Sequence, residues 1–214
     1  MTGPLAAVLH DAAAGRYPPP DGGVTILPQP SPRDAGVISF TAHAVVFANA
    51  DPAWIRSKLA PGDLSAPLRP AFLAALAAVT GREPQSTDIL SVASARSGRP
   101  DFTLSAIPAA RHPRVERAMR YRDDVRVWQA PGGIVLLGRG VAGRWEVAVE
   151  VDPGHRGKGL GRALAAAARH LVPDRAPLWA QISPGNAASV RAFLAAGYRP
   201  VGSEALLALS SSGG

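Results

Sequence analysis

The stretch from Trp145 to Leu171 constrains the fold more than any other part of the chain. Trp145, Val147, Val149 and Val151 alternate with Glu146, Ala148 and Glu150, the period-two pattern of a strand with two unlike faces. Asp152-Pro153-Gly154 then turns the chain, because proline sets φ and glycine permits positive φ. Gly157, Gly159 and Gly161 follow at every second position, with Arg156, Lys158 and Arg162 among them. Leu160, Leu164, Ala168 and Leu171 recur at helical spacing, and Pro173 lies just past them.

A strand, a glycine-rich basic turn and a helix in that order suit a phosphate. A helix start leaves backbone N–H groups unpaired and carries a positive partial charge. Glycines let an anion approach those donors. The plainer reading is a glycine-rich turn without a ligand; three alternating glycines among three cations favour the phosphate. The P-loop pattern fails because Lys158 is followed by Gly159 rather than Ser or Thr. The dinucleotide fingerprint fails because the spacing is Gly-x-Gly-x-Gly. The run Arg156-Gly157-Lys158-Gly159-Leu160-Gly161 resembles the acetyl-CoA signature of the GNAT acetyltransferase superfamily, usually written Gln/Arg-x-x-Gly-x-Gly/Ala. Arg156, Gly159 and Gly161 stand at its defining positions.

The order of elements from Val125 is similar to the core of that superfamily. Val125–Gln129, Ile134–Leu137 and Trp145–Val151 read as three strands joined by short turns, hence an antiparallel meander. A helix from Gly159 leads to a strand over Leu178–Ile182, parallel to Trp145–Val151 because a helix makes the crossover. A helix over Ala187–Ala196 stops at Gly197, and a last strand spans Pro200–Leu209. Asn186-x-x-Ser189-x-x-x-Phe193-x-x-x-Gly197-Tyr198 resembles a second motif of the superfamily. Read alone, Asn186 is an N-cap and Phe193 a core residue. The resemblance covers roughly residues 114–209 and implies an α+β GNAT fold, a mixed twisted sheet flanked by helices, here with an N-terminal α/β extension.

What the resemblance implies for function is specific. The strand Trp145–Val151 should splay from Leu178–Ile182, and the pantetheine arm of acetyl-CoA, the cosubstrate, should bond the backbone of Val149 and Val151. Arg156, Gly157, Lys158, Gly159, Leu160, Gly161 and Arg162 should hold its pyrophosphate, with Asn186 and Ser189 facing it from the next helix. The activity implied is N-acetyltransfer to a primary amine that the sequence does not name. Glu150 and Glu146 share one face of the strand and are the candidate bases, Glu150 preferred; the alternative for both is a surface or salt-bridged carboxylate. The chain departs from the family at Phe193, where many members place a tyrosine that serves as general acid. Tyr198 stands at a position that is normally a buried aromatic and is not the favoured substitute; another group or water is then the proton source, or acetylation is poor. This departure supports an alternative: a catalytically weak acyl-CoA-binding sensor or scaffold.

Residues 1–110 read as an N-terminal extension or degenerate half-domain of unknown role, 111–209 as the acetyltransferase core, and 210–214 as a loose tail. In the first part, helices are expected over Pro4–Ala14, from Asp51-Pro52 to about Leu59, and over Pro70–Thr80 with Gly81 as the stop. The last should bury Phe72, Leu73, Leu76 and Val79. Strands are expected over Val24–Leu27, Val37–Ala48 and Phe102–Ile107, while Thr87–Ser94 is ambiguous. His10 and His43 have no partner at metal-ligand spacing in the sequence, so no metal is expected.

A net charge of +7 fits any polyanion, whether CoA, nucleic acid or an acidic membrane. The basic run from Arg111 to Arg126 is broken by Glu116, Asp123 and Asp124, has few aromatics, and reads as a solvated helix face. Nucleic acid is therefore not an expected partner. No stretch approaches a membrane span, and Met1 to Ala14 lacks the features of a signal peptide. The absence of cysteine is compatible with a cytoplasmic setting. A homodimer is left open.

Overall fold

The valine-rich segment from Val37 to Ala48, which reads as one strand, folds back on itself. The computed structural model describes residues 3–108 and 113–209. Its elements run α1 (Pro4–Ala13), β1 (Val24–Leu27), β2 (Ala35–Phe40), β3 (His43–Phe47), α2 (Pro52–Ser57), α3 (Pro70–Thr80), β4 (Arg82–Ala93) and β5 (Ser105–Ile107). They continue with α4 (Pro113–Tyr121), β6 (Asp123–Ala130), β7 (Gly133–Arg139), β8 (Trp145–Val151), α5 (Leu160–Leu171), β9 (Leu178–Ile182), α6 (Ala187–Ala195) and β10 (Arg199–Leu209). Phe40 pairs with His43 across Thr41 and Ala42, and Ala42 takes φ +53°. Neither turn residue is Gly, Asn or Asp, so composition does not betray the hairpin.

Two units make up the chain, one holding the residues up to Leu90 and those from Val201, the other Ser91–Pro200. The last strand, which sequence order attaches to the second part of the chain, thus groups with the N-terminal part. In that unit the strand order is β1-β3-β2-β10-β4. β1 runs parallel to β3, while β2 is antiparallel to β3 and β10. Asp51 caps α2 by accepting from the amides of Ala53 and Trp54, and Pro52 opens it. Gly81 ends α3 in the left-handed region. Phe72, Leu73, Leu76 and Ala77 of α3 and Ile55 of α2 pack on Val37, Val46 and Leu207. Val79 lies at the rim of the α3 face and is 51% exposed, so Ala77 takes the place expected for it. The ambiguous Thr87–Ser94 falls in the long strand β4 up to Ala93, and the strand expected from Phe102 begins only at Ser105.

The second unit has strand order β9-β8-β7-β6-β5, and its strands β6, β7 and β8 form the expected antiparallel meander. Each face of the meander carries a helix. Val115 and Ala118 of α4 pack on Val127, Ile134 and Leu136, with Ala148 against them. On the other face a Cβ at Gly133 would stand 3.0 Å from Leu164 of α5. Register puts Gly133 in line with Val151, so the odd-numbered valines of β8 share the α5 face and Glu146, Ala148 and Glu150 the α4 face. Among the described residues no helix is long and apolar enough to cross a membrane. The start of the basic run, in 109–112, and the tail 210–214 lie outside the described residues.

Arg82, the first residue of β4, is a buried staple that no pattern announces. Its guanidinium donates to the carbonyls of Pro32 at 2.6 Å, Arg33 at 2.9 Å and Leu207 at 3.1 Å. Arg82→Met would leave these acceptors without their charged donor and should lower the unfolding free energy by about 2–4 kcal/mol. Urea denaturation measures it; a loss under about 0.5 kcal/mol would mean that the carbonyls find other donors.

Candidate active site

β8 is paired fully on one side and hardly at all on the other. Against β7 its register is unbroken from Trp145↔Arg139 to Val151↔Gly133. The only irregularity in the meander lies in β6, between Asp123 and Arg126. No bulge therefore turns Glu146 or Glu150 to the opposite face. Against β9, β8 makes only the parallel pairs Trp145↔Leu178 and Glu146↔Trp179. Past Glu146 the two strands part. The Asp152 amide donates to the Gly132 carbonyl at 2.8 Å and carries the β7 ladder one step further. By antiparallel alternation the even-numbered residues of β8 bond to β7 and the odd-numbered ones face β9, so that past the last pair Val149 and Val151 turn their N–H and C=O groups toward the gap. The Val151 carbonyl accepts from Arg156 Nε at 3.1 Å.

The gap leads to the glycine-rich turn. Gly157 and Gly159 have φ of +75° and +84°, which any side chain would strain. A Cβ at either would meet nothing within 4 Å, so the space before them is open. Gly159 is the N-cap of α5 and supplies no side-chain acceptor. The amides of Leu160, Gly161 and Arg162 thus begin the helix uncapped, with the positive end of its dipole behind them. Lys158 Nζ donates to the Gly154 carbonyl at 3.0 Å, so Lys158 and Arg156 both brace the turn against its own backbone. Arg162 is exposed. A Cβ at Gly161 would lie 3.7 Å from Val151 Cγ2 and 3.9 Å from Ala192 Cβ, ordinary contacts that alanine could make.

Asn186 and Ser189 form the cap of α6: Asn186 Oδ1 accepts from the Ser189 amide at 3.0 Å. The Asn186 side chain is exposed and Ser189 half-buried. Phe193 is buried, edge-on to Tyr198 with ring centroids 4.9 Å apart. The Tyr198 hydroxyl donates to the Ala165 carbonyl at 3.2 Å. Burial pushes the Tyr198 phenol well above its usual range. This hydroxyl is engaged in the packing of α5.

The two candidate bases part company. Glu146 is 3% exposed, and its Oε2 accepts from Arg122 Nε at 2.8 Å and its Oε1 from Arg144 Nε at 2.9 Å. The Val141 amide reaches Oε1 at 3.4 Å. Burial alone would raise its pKa, but the guanidiniums of Arg144 and Arg122 outweigh burial and hold it below the ordinary carboxylate value. A carboxylate so occupied is a poor proton acceptor, and the geometry tells against Glu146 as base. Sequence alternation gives no sign of this, because Arg122 and Arg144 converge on Glu146 from two different turns. Gly140 is part of the same packing: a Cβ there would stand 2.2 Å from Glu146 Cδ. Glu150 is half-buried, roughly 13 Å further along the strand. Arg114 is exposed as a residue, but partial desolvation of its guanidinium lowers its pKa, a shift the nearby Glu150 carboxylate opposes.

In the other unit His43 does have a carboxylate partner. Its Nδ1 lies 2.7 Å from Asp21 Oδ1 and its Nε2 2.9 Å from Thr25 Oγ1. The partner comes from a distant turn, which spacing does not disclose. Among the described residues no group of three or more His, Asp or Glu is placed to hold a metal.

Residues 123–198 match the model of the GNAT acetyltransferase family. No curated protein matches the chain significantly. Among solved structures, the chain is similar to a GCN5-related N-acetyltransferase from Kribbella flavida, at 19% identity over 66% of this chain and 64% of that one, TM-score 0.41. It is also similar to a GNAT-family protein from Novosphingobium aromaticivorans, at 16% identity over 59% and 66%, TM-score 0.39. A third is a Drosophila protein, at 16% identity over 78% and 61%, TM-score 0.43. The chain thus spans less than two thirds of the length of each.

The Glu146 cluster makes stability depend on acid. A carboxylate whose pKa is lower in the folded state contributes above its unfolded pKa, and that contribution is lost as pH falls through the folded value. Glu146→Gln should cost about 3–5 kcal/mol at pH 7, and the gap to wild type should narrow below pH 4. Urea unfolding at pH 7 and pH 3 checks this; an equal gap at both would contradict it.

Proposed function

We propose, for a chain whose residues 123–198 form a domain of the GNAT acetyltransferase family, that it transfers the acetyl group of acetyl-CoA to a primary amine. The observation that carries this reading is the parting of β8 from β9 just where the strand leads into an uncapped, glycine-lined helix start. The Val149 and Val151 backbone would bond the pantetheine amides as an added strand. The amides from Arg156 to Arg162 would take the pyrophosphate, as the open space before Gly157 and Gly159 allows. Asn186 and Ser189 would contribute from α6 as the residues that fix its start.

Acetyl-CoA supplies an activated thioester, and the chain supplies position and proton transfer. A backbone N–H of β8 near Glu150 or Val151 would donate to the thioester oxygen. Glu150 would take the proton of the attacking amine, directly or through water, since it is the candidate carboxylate not clasped between two guanidiniums. The thiolate would be protonated by water, because Phe193 has no proton to give and the Tyr198 hydroxyl is engaged at Ala165.

That last point also favours a second reading, in which the chain binds acyl-CoA with little turnover, as a sensor or scaffold. Thiol release from acetyl-CoA with a panel of amines separates the two: steady release supports the enzyme, and tight binding without release supports the sensor.

Acetyl-CoA at a hundredfold excess over Kd should add roughly 2.7 kcal/mol of stability. Gly159→Asp should remove that effect by placing a negative charge before the helix start. Gly159→Asn shares the backbone strain without the charge and should keep part of it. No stabilisation of wild-type protein shown to be free of bound acyl-CoA would contradict the proposal. Glu150→Gln should lower kcat by about 10²–10⁴ and abolish the acidic limb of the pH profile, with acetyl-CoA affinity little changed. Full activity in this variant would mean that the amine arrives already deprotonated or that water alone relays the proton.

A further inference from the structure

The Glu146 cluster stands at a particular place: the last pair that β8 and β9 share is Glu146↔Trp179. Arg144, two residues earlier on the same side of the chain, has a fully buried side chain and bonds Glu146 Oε1 at 2.9 Å. Its guanidinium also lies 5.3 Å from the ring centroid of Trp179, itself 1% exposed. One buried cation therefore touches both strands at the point where they separate. Arg122, from the junction of α4 and β6, holds the other carboxylate oxygen at 2.8 Å. The turn before β8 closes on the same group, with the Gly140 amide donating to the Arg144 carbonyl at 2.9 Å. Four segments meet at one carboxylate: the α4–β6 junction, the turn at Gly140–Val141, β8 and, through Arg144, β9.

A parallel strand pair that ends after two residues has no intrinsic stop. It can fray further, and the position of the unpaired β8 edge relative to α5 then drifts. A buried ion pair is a poor source of net stability, but its directional bonds are suited to fixing one arrangement over its neighbours. We propose that Glu146 is a positioning residue: with Arg144 and Trp179 it fixes the vertex of the β8–β9 gap, and through it the reach between the Val149 backbone and the start of α5. The inference rests on the proposed acyl-CoA reading for its functional consequence and on the side-chain geometry alone for the vertex itself.

The test has two arms. In the first, amide exchange is followed on the free protein. Glu146→Gln should speed exchange at Val147 and Trp179 by roughly tenfold beyond any change in the helices of the same unit, because only the local opening is released. Uniform acceleration throughout the unit would overturn the proposal. In the second arm, steady-state kinetics should show KM for acetyl-CoA raised about tenfold, with kcat and its acidic limb retained at saturation, as expected for lost positioning in binding. Loss of kcat together with the acidic limb, at unchanged KM, would make Glu146 the base and overturn the proposal as well. Glu146→Asp should restore part of the affinity, which a mere volume effect would not. If Glu146→Gln does not fold, Arg144→Lys keeps a cation beside Glu146 but gives up the flat guanidinium over Trp179, and it should show the same exchange pattern more weakly. Absence of acetyl-CoA binding by wild type would contradict the proposed function, and the exchange arm would still decide whether the vertex is fixed.

Discussion

An unpaired strand edge within a sheet is the constraint on which the second unit turns. Backbone N–H and C=O groups are obligatory hydrogen-bonding groups, and a strand that leaves them open presents a template for another chain or a ligand. β8 is held rigidly from the β7 side by an unbroken ladder and from both faces by α4 and α5. Its other edge is free only past Glu146. The rigidity of one side is what gives the openness of the other a defined shape. The same strand then delivers the chain to the start of α5, so a row of backbone groups and a cluster of amide donors follow one another along a single continuous segment.

Charge is spent unevenly along that segment. At the closed end, Glu146 is shut away with Arg122 and Arg144, and a glycine at 140 makes room for it. At the open end, Arg156 is tied to the carbonyl of Val151 at the end of β8 and Lys158 to that of Gly154, and Arg162 is exposed. The closed end gains definition from ions that water cannot reach; the open end gains an anion-attracting field from backbone dipoles and solvated cations. Glu150 lies between these regimes, half-buried on the α4 face and within the field of Arg114.

Much of this was legible in the sequence because it depends on local rules. β1, α3, β8 and β9 begin and end where periodicity, capping and proline or glycine stops place them. The glycines of the turn after β8 announce positive φ, and Gly157 and Gly159 adopt it. What escaped depends on tertiary contact. The Thr41-Ala42 turn carries no turn chemistry and is imposed by the pairing of β2 with β3. Arg82 looks like any surface arginine until Pro32, Arg33 and Leu207 close around it. Glu146 and Glu150 are indistinguishable by alternation, since both stand on the same face of β8. Their difference arises from Arg122 and Arg144, whose convergence no spacing rule encodes. Tyr198 likewise shows its role only through the Ala165 carbonyl above it.

The central claim is that the free edge of β8 and the start of α5 form one acyl-CoA site, and an amide-resolved NMR titration with acetyl-CoA tests it most directly. The account predicts that the largest shifts fall on the amides of Val149 and Val151 and of Gly157 to Arg162, saturating together with a single Kd. Saturable shifts confined to other segments, or none at millimolar acetyl-CoA, would contradict it.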